Sequence, residues 1–156
     1  MAEFNHLDDH GNVHMVDVGD KPITSRVAVA EAFVAMAELT SEKLFADELE
    51  KGDALATIRI AAIQATKRTP DLIPLCHPLP VDHVEVAIER SESGARIAVT
   101  VGVEARTGVE MEAMTGAAVG ALALYDMIKG IDRSASIHDV RLLSKTGGKS
   151  GDWKRG

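Results

Sequence analysis

DHVEVAIERSESGARIAVTVGVEARTGVEMEAMTGAAVGALALYDMIKG, residues 82–130, decides the fold. Alternation with period two in DHVEVAIER, and again in ARIAVTVGVEA, predicts two strands, and the polar SESG between them closes an antiparallel hairpin. The run Glu110–Gly130 then predicts a helix whose Ala/Gly-rich middle suits close packing, with Gly130 as a stop just after Lys129. Upstream, ITSRVAVAEAFVAM predicts a strand with Val27, Val29, Glu31 and Phe33 on one side and Ala28, Ala30, Ala32 and Val34 on the other, both largely covered. Thr40 or Ser41 is expected to cap a short helix running to Leu49. Gly52-Asp53 restarts a longer helix, DALATIRIAAIQATKRT, expected to be buried on most sides. LIPLCHPLP, Leu72–Pro80, holds three prolines and reads as a rigid connection. ASIHDVRLLSK supplies a last strand. The order is strand, helices, strand, strand, helix, strand: an α+β, ferredoxin-like βαββαβ unit with an antiparallel sheet. Helices would cover one sheet face, and self-association would bury the other, because the strands lack a consistently polar side.

The chain of 156 residues reads as one domain, 1–156, with flexible segments at about 1–22 and about 145–156. Its 46% hydrophobic content comes with only 3% aromatics, so packing must rely on small and branched side chains. A net charge of −7 without a run of like charges argues against nucleic acid and against anionic membranes. The strands also lack the aromatics that an RNA-recognition version of this topology needs for base stacking. A single cysteine, Cys76, excludes an internal disulfide and a cysteine-based metal cluster and fits a reducing cytosol. No stretch approaches the ~20 apolar residues of a membrane span, and the polar start MAEFNHLDDHGN is not a signal peptide, so a cytoplasmic location is expected.

Charged residues cluster at the ends of the Glu110–Gly130 helix. Glu112 and Asp126 are two heptads apart, on one face of an ideal helix but ~21 Å from each other. If both serve one chemistry, either Glu112 sits on the strand or turn leading into the helix, or the site combines two subunits. The second arrangement is the expectation here, and it would also allow Lys51 and Asp126 to meet across chains. Lys51 lies beside a helix start, whose partial positive charge disfavours an ammonium, which would suit an acid and base; a solvated linker lysine is the plainer alternative. Asp126 and Lys129 are three apart, and an ion pair would explain them. Yet an acid near a helix C-terminus is misplaced unless something cationic or functional rewards it. Cys76 and His77 are adjacent on extended chain and point to opposite sides, so they do not form a nucleophile–base dyad. His77 could instead make one hydrogen bond to a ligand or satisfy buried backbone. His6, His10 and His14 have helical metal-ligand spacing, but Gly11 and Asn12 interrupt a helix there, and the stretch reads as a solvated tail. KTGGKSG, Lys145–Gly151, exposes backbone N–H groups between Lys145 and Lys149. It is not a P-loop, since Leu143 stands where the first glycine belongs. Lys21 and Arg26 could add to the same anion pocket.

MVDV (residues 15–18), LIPLCHPLP, TGVEMEAMTG (107–116), ALYDMIKGID (123–132) and LLSKTGGKSG (142–151) together resemble the cyclic pyranopterin monophosphate synthase family, molybdenum cofactor biosynthesis protein C. The likeness runs from about Phe4 to the C-terminus. It implies a ferredoxin-like subunit in a homohexamer built as a trimer of dimers, with the active site at a dimer interface. It also implies a lyase reaction of molybdenum cofactor biosynthesis: (8S)-3′,8-cyclo-7,8-dihydroguanosine 5′-triphosphate becomes cyclic pyranopterin monophosphate, and pyrophosphate leaves. By motif, Asp126, Lys129 and Lys51 match the family's acid and base residues. Leu75, Cys76 and His77 match its substrate-binding turn. Glu110, Met111 and Glu112 match the segment that reads the guanine-derived ring, and Lys21, Arg26 and Lys145 would meet the phosphates. No cofactor is required by this chemistry; Mg²⁺ would come with the triphosphate, and no residues stand out as dedicated metal ligands. The chain departs from the family pattern at Met114, Ile128 and Thr146, none a proposed catalytic group. Two rivals remain: a non-catalytic purine-triphosphate sensor, and a structural subunit of a cofactor-assembly complex.

Overall fold

The computed structural model describes residues 7, 8 and 10–156. Alternating small and branched residues build strands β1 (Thr24–Ala35), β2 (His83–Ser91), β3 (Gly94–Ala105) and β4 (Ser136–Thr146), and a two-residue strand β5 (Trp153–Lys154) ends the sheet. The order across the sheet is β2-β3-β1-β4-β5, with all pairs antiparallel, as the hairpin and the split βαβ reading require. The segment 145–156, expected as a flexible end, thus carries the close of β4 and all of β5.

Helices α1 (Glu38–Phe45), α2 (Ala54–Lys67) and α4 (Glu110–Ile128) and the single turn α3 (Thr69–Leu72) complete the chain. α4 and α2 lie on the sheet face formed by Ala28, Ala30, Ala32 and Val34 of β1 and Ile97, Val99 and Val101 of β3. The contact is tight because both sides are small. A Cβ on Gly116 would come within 2.5 Å of Thr66 Oγ1, and one on Gly120 within 3.4 Å of Ala62 and Ile97. Ala113, Ala117 and Ala121 bury fully beneath α4, so the low aromatic content is matched by close approach rather than by large side chains.

Three details differ from the sequence reading. Thr40 and Ser41 do not cap α1; they lie within it, buried, and the N–H of Ala37 at the cap is taken by Asp132 Oδ2 at 2.8 Å. Asp132 also accepts from Ser134 Oγ at 2.7 Å, so the segment after α4 holds the start of α1. A contact so remote in sequence leaves no local signal. α2 is buried along one stripe (Ala54, Ile58, Ala62, Ala65), while Ile60 faces outward, so it is not covered on most sides. Finally, the uncovered sheet face is not purely apolar. Glu31, 7% exposed, accepts from Arg96 Nε at 2.5 Å and from Arg141 Nε at 2.8 Å, and Arg96 also reaches Glu89. Burial opposes ionisation of Glu31, but the two guanidiniums outweigh it and hold its carboxyl below the usual range. That face therefore carries a satisfied carboxylate beside the partly exposed Val27, Val29 and Phe33.

Candidate active site

α4 organises the candidate functional residues at its two ends. At its N-terminus, Glu110, Met111 and Glu112 meet Leu75, Cys76 and His77 of the proline-rich connection around a cavity of about 410 Å³. Val16, Val18 and Lys21 of the N-terminal segment close its third side. Glu112 is the third residue of α4 and 3% exposed, so it does not sit on the turn before the helix. Burial chiefly, and the charge of Glu110 further, push its carboxyl up to about 7 against the pull of its own backbone N–H. Burial, then the charge of Glu112, raises the Cys76 thiol, which disfavours a thiolate and agrees with excluding a nucleophilic cysteine.

Glu110 is handled differently. Its Oε1 lies 3.3 Å from Lys145 Nζ, an ion pair that joins the helix start to β4. Gly108 makes room for it, since a Cβ there would overlap the Glu110 carboxylate. Beyond this pair the cavity opens into a second hollow of about 710 Å³, lined by Lys21, Arg26, Arg106, Lys145 and Lys149. Gly147 and Gly148, both at positive φ, let the chain turn against Ser25 and Arg26; a Cβ on Gly148 would strike the Arg26 guanidinium. Lys145 Nζ also bonds Ser150 Oγ. The result is a carboxylate-lined cavity continuous with a cationic one, as a ring bearing a polyphosphate would require.

Lys51, Asp126 and Lys129 form a separate group at the other end of α4. Lys129 Nζ is 2.6 Å from Asp126 Oδ1, and Lys51 Nζ is 3.2 Å from Asp126 Oδ2 and also bonds the Asp126 main-chain oxygen. Lys129, then Lys51, holds the Asp126 carboxyl below its usual range, and Asp126 in turn raises Lys129. Although Lys51 precedes a helix start in sequence, its ammonium is delivered to the negative C-terminal end of α4. Lys51 and Asp126 therefore meet within one chain, which corrects the idea that they meet across chains. What the single chain keeps apart is this trio and the cavity, ~21 Å along α4.

Every binding residue expected from sequence lines one of the two joined hollows, and the two expected catalytic lysines each bond to Asp126. Arg106 was missed: its Nε bonds the Lys21 carbonyl at 3.1 Å and its side chain faces the cationic hollow. Its position at the end of a strand, just before Thr107-Gly108, was the available signal. Val16, Val18 and Leu79 were missed as lining residues, being apolar and outside any regular pattern. Of the histidine trio, His6 lies outside the described residues, and among the described residues no group of three or more His, Cys, Asp or Glu is placed to hold a metal ion.

A family model described as the MoaC family matches residues 15–148, which include both ends of α4, the proline-rich connection and the basic hollow. The chain belongs to the MoaC family. MoaC relatives align over almost the whole chain. One from Corynebacterium efficiens is 52% identical over 153 residues, covering 98% of this chain and 99% of its own length. Another, from Herpetosiphon aurantiacus, is 55% identical over 153 residues, covering 97% of this chain and 93% of its own length. A third, from Thermomicrobium roseum, is 48% identical over 157 aligned positions. All three carry the name cyclic pyranopterin monophosphate synthase.

Proposed function

We infer that this chain is a lyase of molybdenum cofactor biosynthesis, converting (8S)-3′,8-cyclo-7,8-dihydroguanosine 5′-triphosphate to cyclic pyranopterin monophosphate with release of pyrophosphate. The join between a carboxylate-lined cavity and a basic hollow carries this reading, in a chain about half identical to relatives of that name. Glu110 and Glu112 face the guanine-derived ring and His77 holds a polar edge of it, while Leu75, Cys76 and Met111 shape the pocket. Lys21, Arg26, Arg106 and Lys145 neutralise the triphosphate. Ring opening and re-closure need several proton transfers on ring nitrogens, and the cyclic phosphate forms as a ribose oxygen attacks the α-phosphorus and pyrophosphate leaves. Lys51, Lys129 and Asp126 are the groups for those transfers. No cofactor of the protein's own enters this scheme, and Mg²⁺ would arrive with the triphosphate.

Because the trio and the cavity lie ~21 Å apart along one helix, a substrate of this size can use both only if the trio of one subunit faces the cavity of another. The active unit is then a dimer, and the resemblance implies three of them in a hexamer. Its site of action is the cytoplasm, where a lone cysteine stays reduced. Incubation of the purified chain with the cyclised dihydro-GTP intermediate tests the reaction: pyrophosphate and cyclic pyranopterin should appear in equal amounts. Tight binding without either product would replace the enzyme by a nucleotide sensor.

A further inference from the structure

The two carboxylates at the start of α4 are only two residues apart, yet the fold gives them opposite surroundings. Glu110 is half-buried and neutralised by Lys145. Glu112 is buried among the walls of the cavity, and among the described residues no cation lies within salt-bridge distance of it. The charged or titratable groups that act on it are Glu110 on its own helix and Cys76 from the proline-rich connection, while His77 and Lys21 line the same cavity. Thr66 of α2, packed behind it, is occupied with its main-chain oxygen. A carboxylic acid enclosed in this way, beside a second carboxylate that is paired with a lysine, is the member of the pair that keeps a proton. At the far end of α4, Asp126 between two lysines is the permanent anion.

Resting on the reaction proposed above, we propose that Glu112 is a proton donor: it meets the substrate as the neutral acid and passes its carboxyl proton to a ring nitrogen. As the purine-derived ring opens at the saturated carbon between its two ring nitrogens, the electron pair of the breaking C–N bond goes to the departing nitrogen, the lone pair of the other nitrogen forms a C=N bond to that carbon, the Glu112 O–H bond breaks and a new N–H bond forms on the departing nitrogen. Glu112 is left as a carboxylate at the N-terminal end of α4, stabilised by its own backbone N–H, and it takes its proton back when the ring re-closes or from solvent. The near-neutral pKa of the group matches this duty, since both protonation states are then accessible at physiological pH. Glu112 thereby moves from ring recognition alone to the chemistry itself.

Carbon-13 NMR of the full chain labelled at glutamate carboxyls reads the acid directly and without substrate. One resonance should titrate near neutrality, well above the other glutamates, and it should be missing from Glu112→Gln. In kinetics, Glu112→Gln keeps a donor of similar shape but no transferable proton, so kcat should fall by ~100-fold or more with KM changed by less than ~threefold, and Glu112→Asp should recover part of it. A Glu112 resonance that titrates with the bulk glutamates overturns the proposal, as does a Gln variant that turns over normally or that loses binding without a specific loss of kcat. Should Glu112→Gln not fold, the labelled chain and Glu112→Asp still decide. If the unaltered chain makes no product at all, the reaction assignment and the donor role both fall, whatever the titration reads.

Discussion

Asp126 is an acid at the end of a helix where the peptide dipoles disfavour a negative charge, and it is kept there by Lys51 and Lys129 together. All three side chains are substantially exposed, so the cluster contributes little to folding and its organisation reads as functional. Asp126→Ala should leave the chain folded and assembled while lowering turnover by roughly 100-fold or more, read by joint release of pyrophosphate and cyclic pyranopterin. If assembly changed more than turnover, the trio would be a structural ion-pair group instead. Glu112 carries the opposite kind of prediction. Its folded-state pKa of about 7 lies above the ordinary glutamate value, so the folded chain binds more protons than the unfolded one between those limits. Stability therefore falls as pH rises through that window, is least burdened below it and carries the full cost above about 7. That cost is at most on the order of 3 kcal/mol. Glu112→Gln should accordingly raise the melting temperature at alkaline pH and lose that advantage as the ordinary glutamate range is approached, measured as the difference between the two melting curves against pH.

At the scale of elements, α4 has to satisfy packing and chemistry with the same residues. Its inner stripe of Ala113, Gly116, Ala117, Gly120 and Ala121 lets it lie close to β1, β3 and α2, and this proximity fixes where both of its charged ends emerge. Gly116→Val should therefore cost about 3 kcal/mol in chemical denaturation, because the added side chain meets Thr66 and Val99 and neither backbone can retreat. A loss below about 0.5 kcal/mol would mean that α2 slides freely over α4. The hairpin, the first strand and α4 itself were legible in sequence because each repeats its own period over many residues. The cap of α1 was not, since Asp132 reaches it from the far side of the fold. Nor was the polarity of the open sheet face: Glu31 reads as one charge in an apolar strand until Arg96 and Arg141 are brought to either side of it.

For the whole molecule, the separation along α4 is what the proposed dimer answers. With the proposed binding residues at one end of α4 and the proposed acid–base residues at the other, each chain would hold two halves of different sites, and a symmetric dimer would unite them twice. Mixing Asp126→Ala subunits with His77→Ala subunits should then restore activity to about a quarter of the wild-type level, because random association gives half mixed dimers and each of these holds one intact site. Proven subunit exchange with no recovery would assign each site to a single chain and remove the need for the partner.

Sequence alone determined the α+β class, the order of the elements, the family likeness and nearly all of the candidate site residues, because these depend on local periodicity and on short motifs that survive without knowing what they touch. The partners were decided only by the tertiary structure. Folding brought Lys51 to Asp126 within one chain, carried Arg106 into the basic hollow, paired Glu110 with Lys145 and left Glu112 enclosed. Each of these follows from packing between segments distant in sequence, where burial and the nearest opposite charge, rather than residue type, set what a side chain can do.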